Sequence, residues 1–136
     1  MAAAIGGAVQ PRWRTSRLGA RGERAAARWL RRRGYVLVGR NVRLVGAEAD
    51  LVMLDRSRRV LVVVEVKTIA GQRTTALERV DAWKRHRLLR LGAALLQQRE
   101  HRHRGLRFDV VALRPRGWRG VLFEVEHVEA AFDATG

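Results

Sequence analysis

Cysteine is absent from the 136-residue sequence, which excludes a disulfide framework and every thiolate metal site and suits a reducing compartment. No apolar run approaches the roughly 18 residues that a bilayer-spanning helix needs. No glycine-rich phosphate cradle, zinc ligand set or nucleophile elbow is present, so nucleotide-loop, zinc and serine-hydrolase chemistries have no footing. Acid is scarce, with 13 Asp and Glu against 28 Lys and Arg and a formal charge of +15. Lysine is scarcer still: 26 of the basic residues are arginine, and only Lys67 and Lys84 are not. A chain that uses arginine almost everywhere keeps its two compact ammoniums where a planar guanidinium would not serve.

What is present suits one compact domain. The hydrophobic fraction of 47% is enough to bury a core without staples. Residues 1–14 read as a disordered basic extension, because the small residues precede the arginines and a secretory signal has the reverse order. Residues 15–136 read as a single domain. The positive field favours a polyanion partner whose affinity falls with salt, and nucleic acid is the first candidate.

Hydrophobic spacing orders the elements. Thr15 or Ser16 caps a helix running to about Arg33, with Gly34 as its stop and Leu18, Ala25, Trp29 and Leu30 on its apolar stripe. Tyr35–Val38 reads as a short strand, Asn41–Gly46 as a turn, and Glu48–Leu54 as a second strand. Val60–Lys67 (VLVVVEVK) is apolar on both alternating faces, as a central strand covered on both sides should be. Gly71 and Gln72 mark a loop, and Thr74 to Arg99 reads as a long helix buried through Leu77, Val80, Leu88, Leu91 and Leu95. Glu100–Gly105 is a charged loop, Leu106–Leu113 a strand, Pro115–Gly120 a turn and Val121–Val128 the last strand. A helix between strands three and four makes them parallel, and short turns make the first three antiparallel. The expected class is therefore α/β: a mixed five-stranded sheet flanked by helices.

The third strand breaks its own pattern. Leu61, Val63, Glu65 and Lys67 share one face, so an acid and an ammonium follow branched aliphatics near the strand's end. Buried charges need partners. The plainer reading is a Glu65–Lys67 ion pair leading into solvent. On an antiparallel hairpin, however, Asp50 comes beside Glu65, and two converging carboxylates call for a cation between them. Magnesium or manganese meets that need with hard oxygen ligands: Asp50, Glu65 and the Val66 carbonyl. Lys67 would then orient or deprotonate a water attacking a phosphodiester.

Asp50, fourteen intervening residues and then Glu65-Val66-Lys67 resemble the D…(D/E)-x-K signature of restriction-endonuclease-like nucleases. Gly19–Val38 (GARGERAAARWLRRRGYVLV), Asn41–Leu51 (NVRLVGAEADL), Val63–Lys67, Lys84, Arg107–Val111 (RFDVV) and Ala131-Phe132 resemble, in order, the YraN-like family of uncharacterised bacterial proteins. That family is related to Holliday-junction resolvases. The resemblance implies the restriction-endonuclease-like fold, a bacterial cytoplasmic setting, Glu23 as an acid on the first helix, Asp50 and Glu65 as the other acids, and Lys67 as the catalytic lysine. Two positions depart from the family pattern: Ala47 replaces a glycine, and Ile69 stands where an arginine commonly follows the lysine.

Other residues carry two readings each. Glu23 either reaches the metal, directly or through water, or pairs with neighbouring arginines. Lys84 either reaches a substrate phosphate or Glu65, or snorkels to water. Glu48 is a second-sphere acid or a ligand itself. Arg24, Arg28 and Arg43 are candidate phosphate contacts. Asp109 and Arg107 read as a structural pair, and His101 with His103 lacks a third metal ligand. The expected function is a magnesium- or manganese-dependent endonuclease acting on DNA in preference to RNA, at branches or junctions, without a membrane role. Junction-cutting enzymes allow a homodimer. The competing readings are a catalytically silent nucleic-acid-binding module and an interaction protein of a ribosomal or repair assembly.

Overall fold

The computed structural model describes residues 17–69, 82–116 and 122–133. The elements are α1 (Arg17–Arg32), β1 (Tyr35–Leu44), β2 (Ala47–Asp55), β3 (Val60–Thr68), α2 (Ala82–Gln97), a 3-10 turn (Arg99–His101), β4 (Gly105–Arg116) and β5 (Leu122–Val128). One sheet holds all five strands in sequence order. β1, β2 and β3 form an antiparallel meander, β3 and β4 pair in parallel across the α2 crossover, and β5 returns antiparallel to β4. The α/β class, the mixed sheet, the antiparallel first three strands and the parallel β3–β4 pair are as the sequence implied, and the structure adds the direction of β5. The expected extension over residues 1–14, the Thr15 or Ser16 cap, the Gly71–Gln72 loop and the helix positions Leu77 and Val80 lie outside the described residues.

The sheet has an apolar cluster on each face. Leu61, Val63, Val52, Phe108, Val110 and Ala112 pack with Leu88, Leu91 and Leu95 of α2. Val62, Val64, Val66, Leu51, Met53, Val111 and Leu113 pack with Ala26, Ala27 and Leu30 of α1. The buried face of α1 is thus centred on Ala26, Ala27 and Leu30, with Ala25 and Trp29 at its margin. β3 is buried on both faces from Leu61 to Lys67, which is why its sequence does not alternate.

Three local expectations are corrected. β1 continues to Leu44 instead of ending at Val38. Gly39 follows a register shift and Asn41 adopts a φ of 48°, so two residue types that usually mark turns are absorbed as irregularities within a strand. The turn itself is only Val45-Gly46, with φ of 47° and 76°, the doubly positive geometry of a two-residue hairpin. β4 runs through Pro115 to Arg116, beyond the expected stop at Leu113. Its pairing with β3 ends at Leu113, so the missing proline N–H interrupts no ladder there. The charged segment after α2 begins with the 3-10 turn rather than an open loop.

α1 ends as expected at Gly34, whose φ of 93° is costly for any residue with a Cβ. Gly22 does a different job. A Cβ there would lie 2.7 Å from Thr68 Oγ1 and 3.2 Å from Leu113 Cδ1, so the absent side chain lets α1 approach the end of β3. A Gly22→Val substitution should push the helix off that strand and destabilise the protein by about 1–3 kcal/mol. Thermal unfolding followed by circular dichroism should show a Tm lower by roughly 3–12 °C; an unchanged Tm would mean the helix accommodates the side chain without cost.

Candidate active site

The β2–β3 hairpin brings Asp50 to the Glu65-Val66-Lys67 segment. Paired residues run from Asp55 opposite Val60 to Leu51 opposite Val64, and the ladder stops there, one residue short of Asp50 and Glu65. At this point β2 changes character. Ala47 and Ala49 pack on the α2 side and Leu51 and Met53 on the α1 side, yet Val52 returns to the α2 side. The inside–outside alternation therefore slips by one residue at Asp50. Across β1, the positive-φ Asn41 falls in the same gap between Arg40–Leu51 and Val42–Ala49.

The slip lets the Asp50 side chain take over a backbone role: Val66 N–H donates to Asp50 Oδ2 at 2.8 Å. The strand's alternation places the Val66 carbonyl on the same side. Ile69 N–H donates to Leu113 O of β4, so odd-numbered backbone groups near this end of β3 face β4 and even-numbered ones face β2. Asp50, Glu65 and Lys67 are all buried. Glu65 and Lys67 follow Leu61 and Val63 on the α2 side, and Lys84 reaches them from α2.

Both lysines converge on one carboxylate oxygen. Lys67 Nζ lies 3.0 Å from Glu65 Oε2, and Lys84 Nζ contacts the same atom. The Glu65 side chain is 0% exposed, that of Lys67 10% and that of Lys84 25%. The two lysines of an arginine-rich chain are thus together, meeting at a buried acid where compact ammoniums fit and forked guanidiniums would crowd. Lys84 stands on Glu65, one of the two destinations its position in the sequence left open.

The donors suit a hard divalent cation. Two carboxylates and a carbonyl supply oxygen only, and among the described residues no three His, Cys, Asp or Glu side chains cluster to form a fuller cage. Water and substrate oxygens would complete the coordination, as magnesium commonly requires. The formal charges of Asp50, Glu65, Lys67 and Lys84 already sum to zero, so an arriving cation must displace positive charge.

The remaining candidates are placed as follows. Glu23 is half-buried on α1, one residue beyond Gly22, where the helix meets the end of β3. Glu48 accepts from Arg43 Nε at 3.3 Å, across the β1–β2 register pair, so the acid and the candidate phosphate contact engage each other. Arg24 and Arg28 are exposed on α1. Ile69 is buried in the α2-side cluster, so this residue serves packing where the family pattern has an arginine. His101 Nδ1 accepts from Arg104 Nη1 at 2.9 Å.

One cluster is richer than the sequence suggested. Arg107 binds Asp109 through Nε at 2.8 Å and Nη2 at 2.9 Å, the structural pair expected. It also donates to Asp55 Oδ2 at 3.3 Å and to the Tyr35 hydroxyl at 2.7 Å. His127 Nε2 lies 2.7 Å from Asp109 Oδ2, and Ala130 N–H donates to Asp109 Oδ1 at 3.0 Å. Burial pushes the Asp109 carboxyl up, but these donors outweigh it and hold the group below its ordinary value. The Arg107 guanidinium is correspondingly held more firmly protonated. The network sits on the α1 side of the sheet, away from the face carrying Glu65 and Lys67. His127 had no sequence signal, because its contact with Asp109 arises from β4–β5 pairing and not from spacing.

The chain resembles bacterial proteins over most of its length. The profile of the uncharacterised protein family UPF0102 matches residues 22–113, from the glycine at the helix–strand contact to the end of β3–β4 pairing. A UPF0102 protein of Prosthecochloris aestuarii is 40% identical over 119 residues, covering 85% of this chain and 92% of the relative. One from Syntrophotalea carbinolica is 41% identical over 120 residues, covering 88% and 94%. One from Symbiobacterium thermophilum is 44% identical over 100 residues, covering 73% and 83%. With this coverage, and with the YraN-like motifs found in order along the sequence, the chain belongs to the UPF0102 family.

Proposed function

We propose that this protein is a magnesium- or manganese-dependent nuclease that hydrolyses phosphodiester bonds of DNA at branched or junction structures. The observation that carries the reading is the seating of Asp50 against the Glu65-Val66-Lys67 segment by the Val66 N–H. Asp50, Glu65 and the Val66 carbonyl would hold the ion, with Glu23 contributing through water. The ion, when bound, supplies Lewis-acid stabilisation of the charge on the phosphoryl oxygens. Asp50 is fixed by its backbone donor and so keeps its second oxygen's direction. Lys67 holds a proton at Nζ, orients the attacking water and offers positive charge to the transition state. Buried walls of valine and leucine limit competing water.

The abundance of arginine without a base-reading motif suits recognition of shape and backbone, hence the choice of branched DNA. Resolving a junction takes two symmetric cuts, and a homodimer would supply two such sites. A bacterial cytoplasmic setting agrees with the absence of cysteine and with bacterial relatives. Among the described residues, no helix is long and apolar enough to cross a membrane.

One observation favours a second reading. Glu65 already meets two ammoniums, so the cluster is charge-balanced without an ion, as a silent binding module descended from a nuclease would be. Purified protein incubated with linear, flapped and four-way DNA, with manganese or with chelator, separates the two. Manganese-dependent cleavage concentrated on branched DNA is the expected result. Salt-sensitive binding with no cleavage would replace the nuclease by the silent module, and no binding at moderate salt would leave a protein-assembly role.

A further inference from the structure

Five arginines line one cleft between α1 and β1. Arg24, Arg28, Arg31 and Arg32 come from the helix and Arg40 from the strand, with Ala27 at the floor and a volume of about 440 Å³. All five side chains are exposed. Among the described residues, no carboxylate lines this cleft or forms an ion pair with any of the five. This separates them from Arg43, Arg58, Arg107, Arg114 and Arg116, each of which pairs with an acid. Five like charges held around one cleft repel each other, and a polyanion relieves that repulsion.

The spacing indicates what kind of polyanion. Residues four apart on a helix rise about 6 Å along its axis, so Arg24, Arg28 and the Arg31–Arg32 pair form three guanidinium tiers. That rise is close to the separation of successive phosphates along a strand. Among the described residues, no aromatic ring lines the cleft. Trp29, the nearest aromatic in sequence, packs edge-on to His127 and is covered by the Arg33 guanidinium at 3.5 Å. Proteins that hold single strands use exposed rings on which bases stack, and a cleft without them offers contacts to backbone only.

The cleft lies on the opposite face of the sheet from Glu65 and Lys67. Arg40 is paired with Leu51, the residue after Asp50, and so faces the α1 side at the level of the hairpin slip. Arg24 lies two residues beyond Gly22, where α1 touches the end of β3. A smaller cleft lined by Leu54, Arg56, Arg59 and Arg104 is at the turn end of the β2–β3 hairpin. We infer that the α1–β1 arginine cleft binds the sugar–phosphate backbone of a DNA duplex. This rests on the nucleic-acid part of the proposed function and is independent of whether cleavage occurs.

The test is binding of a fluorescent duplex and a single strand of equal length, in chelator, across a salt series. The proteins compared are wild type, a triple cleft variant (Arg28→Gln, Arg31→Gln, Arg32→Gln) and a charge-matched control (Arg90→Gln, Arg99→Gln, Arg102→Gln). All six positions are exposed or at the surface of their helix or turn, and circular dichroism confirms folding. The cleft variant should bind duplex at least ~10-fold more weakly, for any sequence, with a log–log salt slope shallower by roughly 2–3 if each arginine meets one phosphate. The control should keep most of the wild-type slope. Equal loss in both variants would reduce the cleft to a share of net charge, and undiminished duplex binding by the cleft variant would overturn the inference while leaving the nuclease reading intact. Loss of single-strand affinity with duplex affinity retained would also overturn it. Failure of the wild type to bind DNA would remove both.

Discussion

A Glu65→Ala variant is expected to lose metal-dependent DNA cleavage altogether, whereas the two lysines that contact Glu65 should separate cleanly when each is replaced by methionine. Lys67 is the deeper of the pair and sits two residues along the same strand face as Glu65. Lys67→Met should lower the cleavage rate by about 10²–10³-fold, the range for losing one donor that stabilises transition-state charge, with manganese affinity changed by only a few fold. Lys84 comes from α2, is more exposed, and places its ammonium on the oxygen that a cation would use. Lys84→Met should therefore tighten manganese binding by ~10–100-fold. A unit charge about 4 Å away is worth roughly 4 kcal/mol at an effective dielectric of 20, and part of that is recovered by the flexible lysine moving into water. Titration calorimetry reads the metal affinities directly, without cleavage.

Folding must be controlled in these variants. Glu65→Ala leaves Lys67 and Lys84 facing each other in a buried site, at a cost of about 3–5 kcal/mol. Glu65→Gln keeps the volume and a hydrogen-bonding oxygen, and it should lose cleavage equally while unfolding less readily. Cleavage that persists in folded Glu65→Gln would come from a contaminant and would sink the nuclease assignment. A Lys84→Met protein whose manganese affinity is unchanged would show that Lys84 does not compete for the Glu65 oxygen.

The elements that set the fold were written in hydrophobic periodicity. Val60–Lys67 lacks alternation because both faces are covered, and that single feature located the central strand and the acid and lysine that interrupt it. The hairpin followed from turn spacing, and with it the approach of Asp50 to the end of β3. What the sequence concealed depends on local irregularity. Gly39 and Asn41 look like turn residues, and only tertiary packing decides that the strand continues through them to Leu44. The slip at Asp50 is likewise invisible, since Ala49, Asp50 and Leu51 read as ordinary alternation. The arginine cleft joins residues 24–32 to Arg40 across a helix–strand gap; Arg24 and Arg28 were legible as phosphate contacts, but nothing in the spacing joined them to Arg31, Arg32 and Arg40. Asp109 and His127 meet only because β4 and β5 pair in one register.

That register supports the second large effect: Asp109→Ala should lower the Tm by roughly 10–20 °C. Asp109 is fully buried and binds Arg107 twice, His127 and the Ala130 N–H. Its removal strands a guanidinium that is only 11% exposed, leaving it Asp55 at 3.3 Å and the half-exposed Glu129 at 3.6 Å. Breaking a buried pair from one side costs about 3–5 kcal/mol, and for a domain of this size each kcal/mol moves Tm by roughly 3–5 °C. The same residue sets an acid limit. Its folded pKa is depressed below the ordinary 3.8, so its contribution is fully present above that value. As pH falls below about 4 the unfolded chain takes up a proton that the folded chain refuses, and stability declines until the folded group is also protonated. Asp55, held low despite its burial by Ser57 and Arg107, adds to the decline with the same sign. Thermal melts from pH 7 to pH 2.5 should therefore show a steeper acid loss for wild type than for Asp109→Asn, and parallel curves would remove Asp109 as its source. Because the network lies on the α1 side of the sheet and the acid–lysine site on the α2 side, Asp109→Asn should retain manganese affinity at temperatures where it is folded. A joint loss of stability and metal binding would mean that the two faces are coupled through β3 and β4, whose parallel register places Asp109 opposite Val64, one residue before Glu65.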